Sequence, residues 1–207
     1  MHTQILPGAT KRVLQEIGEQ PWIKNFYLAG GTALAIQYGH RESIDLDFFS
    51  TEDFDIGALR QNLARLGELR VEAEESGTLH GVLEGVRISF LRYQYPLLFP
   101  LIIFEGVQVA DERDIAAMKL DAISARGSKK DFIDLYFLLE KYSFKELLNI
   151  FQEKYRTIEF NKLHMLKSLT YFDDADREGQ PIMSQSISWE KIKVALRQKT
   201  EKLLAAD

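Results

Sequence analysis

The feature that most constrains this chain is a glycine pair set between a strand-like run and a helix-like run. Residues 25–29 (NFYLA) form a short β-type run. Gly30 and Gly31 interrupt it, and TALAIQY resumes as a helix with Thr32 near its start. Residues 43–49 (SIDLDFF) then alternate strictly. Ile44, Leu46 and Phe48 share one face, and Ser43, Asp45, Asp47 and Phe49 the other, which predicts a strand. Strand, tight turn, helix and strand follow one another with little chain to spare, and this already points to a mixed plan.

The flanking sequence extends it. Val13, Leu14 and Ile17 mark a short amphipathic helix over 10–20. Asp53 or Asp55 can cap a helix carrying Ile56, Leu59, Leu63 and Leu66. Residues 69–91 read as β structure with a tight turn at Glu84-Gly85, and 101–109 as one further strand, with Pro96 and Pro100 placing loop or edge between them. After Asp111 the chain turns helical. A helix stops at Gly127, a second opens at Ser128, and Ser143 with Glu146 spells a capping box for a third. A helix over 162–170, an acidic loop over 173–180 and a final helix from Ser188 complete it. The expected fold is α+β: a small mixed sheet with flanking helices over 1–110, then a helical region over 111–207 that completes the site.

Composition narrows the function. A chain of 207 residues with 45% hydrophobic and 28% charged residues is an ordinary globular protein. There are no cysteines, which excludes disulfides, Cys-ligated zinc, iron–sulfur clusters and thiol nucleophiles. A formal charge of −5 argues against general DNA binding. The most apolar stretch, 97–104, is far shorter than the roughly 20 residues that span a bilayer, and the start lacks a signal-peptide core, so the expected location is cytoplasmic, away from membranes.

The chemistry concentrates in residues 26–50. Glycines at a strand-to-helix turn let a ligand approach the backbone, and the first helix amides are unpaired donors suited to phosphate. Thr32 adds a hydroxyl there. Asp45 and Asp47, two apart on the expected strand, would leave one face about 6–7 Å apart at the backbone. Two such carboxylates can share Mg²⁺ or Mn²⁺, which would hold a nucleoside triphosphate. Ser43 shares that face, and His40 and Arg41 precede it as possible phosphate partners. Asp-x-Asp by itself says little, since Asp53/Asp55 and Asp174/Asp176 repeat it in polar surroundings. Its position fourteen residues after Gly31 is the informative part. Lys119, among small and apolar residues, is either a snorkelling lysine or a phosphate ligand; Arg126 shares its helix face, and Lys129 and Lys130 follow. His80 and His164 stand without metal-binding context, and Tyr93 and Tyr95 read as core or rim.

Three stretches, LAGGTALAIQYGHRESIDLDFFS, TLHGVLEGVRISFLRYQYP and DIAAMKLDAISARGSKKDFIDLYFLL, resemble in this order the AbiEii/AbiGii-type nucleotidyltransferase toxins of the polymerase-β-like superfamily. The resemblance implies a four-motif site. Gly30, Gly31 and Thr32 match the first motif, Ser43, Asp45 and Asp47 the second, Lys119 the third, and Asp131 and Asp134 the acidic fourth. Asp134, flanked by apolar residues, needs a partner, for which Lys119 is the candidate. The resemblance further implies NTP-dependent transfer to an acceptor hydroxyl, with tRNA as one acceptor and a cognate antitoxin as partner. Catalysis would rest on Asp45, Asp47, Lys119, Asp131 and Asp134, and nucleotide binding on Gly30, Gly31, Thr32, Arg41, Ser43, Lys119 and Arg126, with the site expected between the two halves.

One departure stands out. Such transferases usually carry a third carboxylate on a later strand, whereas VRISFL offers Ser89 at its position, and no acid occurs over 86–104. The general base is therefore open, with Asp47 and Asp134 as options. Two alternatives follow: a non-catalytic NTP-binding regulatory or interaction module, or a transferase acting on a protein or small molecule.

Overall fold

In the computed structural model, which describes residues 1–205, the alternating segments of the front half pair into a seven-stranded mixed sheet. The first of two units, Met1–Asp111, runs α1 (Gly8–Gly18), β1 (Tyr27–Ala29), α2 (Gly30–Tyr38), β2 (Leu46–Ser50), α3 (Ile56–Ala64), β3 (Leu69–Glu75), β4 (Thr78–Leu83), β5 (Val86–Arg92), β6 (Ile102–Phe104) and β7 (Val107–Val109). The strand order is β3-β4-β5-β2-β1-β7-β6. The β2/β5 and β1/β7 pairs are parallel and the other pairs antiparallel. The two segments flanking the glycine turn thus lie at the centre of the sheet.

Burial follows the side-chain periods. Val13, Leu14 and Ile17 form the fully buried stripe of α1, while α2 buries Ala33, Leu34, Ala35 and Ile36 all round. Phe48 and Phe90 stack at 4.8 Å between ring centroids, and Phe26 meets Phe90 edge-on at 5.0 Å. Removing such a buried ring costs about 3–5 kcal/mol. At the sheet edge, β3 is largely exposed and carries Arg70, Glu72, Glu74 and Glu75, charges that discourage pairing with another chain.

Two expectations are corrected. The strand expected from Ser43 begins at Leu46. Its antiparallel partner β1 turns away at Gly30, so pairing ends at Ala29 opposite Asp47. The carbonyls of Ile44 and Asp45 accept side-chain hydrogen bonds from Thr10 and Thr32 instead. Ile44 is consequently 51% exposed rather than on the core face. The single strand expected over 101–109 is a hairpin. Glu105-Gly106 turns it with positive φ at both positions, as Glu84-Gly85 does between β4 and β5.

The second unit, Glu112–Asp207, is helical: α4 (Glu112–Ala125), α5 (Lys129–Lys141), α6 (Phe144–Lys154), α7 (Lys162–Ser168), α8 (Asp173–Arg177) and α9 (Trp189–Leu204). The capping box of Ser143 and Glu146 forms in full. The acidic segment expected as loop contains the single turn α8. Phe172 before it is buried against Phe132 at 4.8 Å and Trp189 at 5.7 Å, and Asp176 accepts the Trp189 indole N–H. Among the described residues no helix is long and apolar enough to cross a membrane.

Candidate active site

In the first unit the glycine turn is shaped by what lies beneath it. Gly30 has φ +69°, a conformation that L side chains rarely adopt, and a Cβ there would sit 3.2 Å from Asp47 Oδ2. A Cβ on Gly31 would stand 2.5 Å from Arg41 Nη2. Arg41 is 1% exposed and therefore has little freedom to retreat. The turn thus brings backbone directly over a carboxylate and a guanidinium.

Thr32 ties the turn to the second motif. Its hydroxyl shares a 2.8 Å hydrogen bond with that of Ser43 and donates to the Asp45 carbonyl. Thr32, Ser43, Arg41 and His40 are all buried. These side chains, expected as phosphate partners, are placed inside the fold, where they set the path of the chain into Asp45 and β2. Gly30 and Gly31 at the start of α2, and Asp45 and Asp47, are by contrast half-buried.

Asp45 precedes β2, so the strand rise does not set its spacing from Asp47. Its Oδ1 is buried and makes no hydrogen bond. A buried carboxylate oxygen without a donor is costly and gains most from a cation. Two carboxylates fit a hard divalent ion such as Mg²⁺, which takes one or two protein carboxylates and completes its shell with water and substrate phosphates. Ser89, at the position expected for a third acid, pairs directly with Asp47 across β2 and β5. A cleft of about 680 Å³ lined by Trp22, Phe26, Ser50 and Phe54 lies at the far end of β2 and holds none of these residues.

In the second unit, α4 presents Lys119 to α5. Lys119 Nζ lies 2.7 Å from Asp131 Oδ1 and 2.7 Å from Asp134 Oδ2. Asp131 and Asp134 are three apart and so share one face of α5. Asp131 Oδ2 also accepts from Ser128 Oγ at 2.8 Å and Arg126 Nε at 3.2 Å. All three members of the lysine–carboxylate cluster are buried, whereas the Arg126 side chain is 69% exposed. Burial pushes the Asp131 carboxyl up, but the charges of Lys119 and Arg126 and the Lys119 hydrogen bond outweigh it and hold the group below the usual range. Lys119 therefore bridges both acids of the fourth motif. Lys129 departs from the cationic patch, since its amine and backbone N–H both go to Glu178.

The sequence reading missed a second ion pair in this unit. Lys154 Nζ lies 2.7 Å from Asp114 Oδ1, with both side chains 0% exposed. The available signal was position: Lys154 is seven residues after Leu147 and three after Phe151, on the apolar stripe of α6.

The profile of the nucleotidyl transferase AbiEii toxin family, a type IV toxin–antitoxin system, matches residues 12–202. The chain belongs to the AbiEii nucleotidyltransferase toxin family. A protein of Aquifex aeolicus (strain VF5), described as uncharacterized, is 38% identical over 200 residues, covering 94% of this chain and 95% of its own length. JHP933 from Helicobacter pylori is similar in structure with a TM-score of 0.56 at 16% identity, covering 99% of this chain and 93% of its own. A candidate nucleotidyltransferase from the same organism has a TM-score of 0.51 at 16% identity, covering 94% and 93%. These two likenesses carry the fold. Membership of the AbiEii family makes the chain a nucleotidyltransferase of a toxin–antitoxin pair, with an NTP as substrate and an antitoxin as counterpart.

Proposed function

We propose that this AbiEii enzyme transfers a nucleoside monophosphate from a metal-bound NTP to an acceptor hydroxyl, with tRNA as the acceptor, and acts in the cytoplasm. The single observation that carries the reading is the buried, donor-less Oδ1 of Asp45, held beside the glycine turn by Thr32. Asp45 and Asp47 would hold Mg²⁺, which supplies charge neutralisation on the triphosphate when bound. The amides at the start of α2 receive phosphate oxygens, and Gly30 keeps that approach free of a side chain. Thr32, Ser43 and Arg41 fix the backbone from which the carboxylates project. Lys119, Asp131 and Asp134 are assigned to the reaction by their match to the third and fourth motifs. In-line attack on the α-phosphorus needs mainly positioning and charge neutralisation, and both are available from groups of this type. The tRNA acceptor rests on the family resemblance.

The test is a labelling assay with Mg²⁺, each α-labelled NTP in turn and total cellular RNA, beside an Asp45→Ala/Asp47→Ala control. Label in tRNA only with the aspartates intact is the expected result. NTP binding without label in RNA would overturn the tRNA acceptor and direct the search to protein or small-molecule acceptors.

A further inference from the structure

We propose that Ser89 and His80 form a proton relay for the acceptor hydroxyl, beside Asp47. Sheet register carries the proposal. Ala29 pairs with Asp47, Asp47 with Ser89, and Ser89 with His80. Directly paired residues project from the same face, so carboxylate, hydroxyl and imidazole stand in one row, about 4.8 Å apart from strand to strand. The row begins where the chain enters the glycine turn. Leu46 and Phe48, Ile88 and Phe90, and Leu79 point to the opposite face and are buried, while Asp47, Ser89 and His80 are half-buried. Within the row Ser89 Oγ lies 3.0 Å from His80 Nδ1. Arg87 and Leu91 flank Ser89, and Thr78 and Val82 flank His80, so the charged group beside the pair on its own strands is the Arg87 guanidinium, which stays protonated and cannot serve as a base.

An alcohol that attacks phosphorus must give up its proton, and a positioned base speeds that step beyond what positioning and charge neutralisation supply. Ser89 is the neighbour of Asp47 that can receive this proton, and His80 is the neighbour of Ser89 that can receive the next. As the acceptor O–H bond breaks, its proton passes to Ser89 Oγ, and the Ser89 proton passes to His80 Nδ1. The acceptor oxygen bonds to the α-phosphorus, and the bond from that phosphorus to the bridging oxygen of pyrophosphate breaks. Pyrophosphate leaves with the electron pair, and the imidazolium returns its proton to water. A hydroxyl backed by an imidazole thus does the work of a carboxylate, following the logic by which a serine is coupled to a histidine in nucleophilic catalysis.

The relay rests on the nucleotidyl-transfer reading, and the experiment separates the two. Wild type, H80Q, S89A, the H80Q/S89D double variant and D47N are compared for equilibrium binding of Mg·NTP and for single-turnover transfer of α-label to purified tRNA. H80Q and S89A are expected to bind NTP within about threefold of wild type, so that the loss falls on the chemical step. Transfer should fall by about 10²–10⁴-fold, the usual contribution of a positioned acid–base group. H80Q/S89D, which places a carboxylate in the row, should recover at least about tenfold over H80Q, a rescue that a merely structural role for His80 would not show. Transfer by H80Q at the wild-type rate, with D47N inactive, would overturn the relay and leave the transferase reading standing. Loss of NTP binding by H80Q together with no recovery in the double variant would also overturn it. Absence of transfer to tRNA by wild type would overturn the tRNA acceptor, and with it the relay proposed for that acceptor's hydroxyl.

Discussion

Asp47 Oδ2 lies 3.2 Å from the point a Cβ on Gly30 would occupy, so the glycine of the first motif and the carboxylate of the second are in near contact. Gly30→Ala therefore meets two obstacles. It places a side chain at φ +69°, which costs about 1–2 kcal/mol, and it crowds the carboxylate. The expected outcome is a lower denaturant midpoint and loss of Mg·NTP binding. Chemical denaturation and equilibrium titration check both, and retention of full binding would show that Asp47 shifts without consequence.

Lys119 neutralises two buried carboxylates at 2.7 Å each. Lys119→Met leaves both without their cation, and removal of one partner from a buried ion pair costs about 3–5 kcal/mol. The variant should be strongly destabilised in urea. A stability loss below about 1 kcal/mol would mean that solvent reaches Asp131 and Asp134 easily, as it does around exposed ion pairs.

The same cluster has a pH signature. The Asp131 carboxyl titrates below the ordinary aspartate range, because Lys119 and Arg126 outweigh the effect of its burial. A carboxyl depressed in the folded state stabilises fully above its unfolded pKa of about 3.9, and that contribution is lost as pH falls through the lower folded value. Wild type should exceed Asp131→Asn in stability at neutral pH, with the gap closing below about pH 4. Urea midpoints measured from neutral to acid pH decide this; a gap that widens on acidification would reverse the sign.

How much of this was legible in the sequence depended on whether the signal was local. The Ser143–Glu146 capping box, the Asp55 cap and the Glu84-Gly85 turn are short-range devices, and each forms as expected. The pairing of Lys119 with the fourth motif was also readable, because a carboxylate at an apolar helix position must find a cation. The early end of β2 was not, since it is set by Thr10 and Thr32, side chains distant in sequence that take the carbonyls of Ile44 and Asp45. The burial of Thr32 and Arg41 was not legible for a related reason: residue type shows that a group can meet phosphate, and only the fold shows how deeply it sits. His80 looked isolated because its partner Ser89 is joined to it by strand register.

The Lys154–Asp114 pair, 0% exposed on both sides, separates the cost of a broken pair from the worth of an intact one. Burial lowers the Lys154 pKa despite the opposing pull of Asp114, so desolvation dominates there. Lys154→Met alone should cost about 3–5 kcal/mol, whereas Lys154→Met/Asp114→Leu should come close to wild type or exceed it by about 1–4 kcal/mol. A double-mutant cycle in urea measures the difference. Equal losses in the single and double variants would show that the pair contributes stability beyond its own desolvation.

Asp45 reverses the usual direction of a substitution. Its Oδ1 is buried without a hydrogen-bond donor, and an unsatisfied carboxylate oxygen in that position is costly until a cation arrives. Asp45→Asn removes the charge while keeping the shape. In the absence of metal and nucleotide, the variant should be more stable than wild type, by about 1 kcal/mol if the relieved cost resembles that of other unsatisfied buried polar groups. With Mg²⁺ and NTP the order should invert. Ligand at 100 times its dissociation constant stabilises the wild-type fold by about 2.7 kcal/mol, whereas Asp45→Asn should gain little from the same addition. Thermal melts with and without Mg·NTP read both halves. Destabilisation of the free variant would mean that Asp45 is held by the fold for structural reasons, whereas the predicted crossover identifies a residue whose native strain is relieved by the substrate complex.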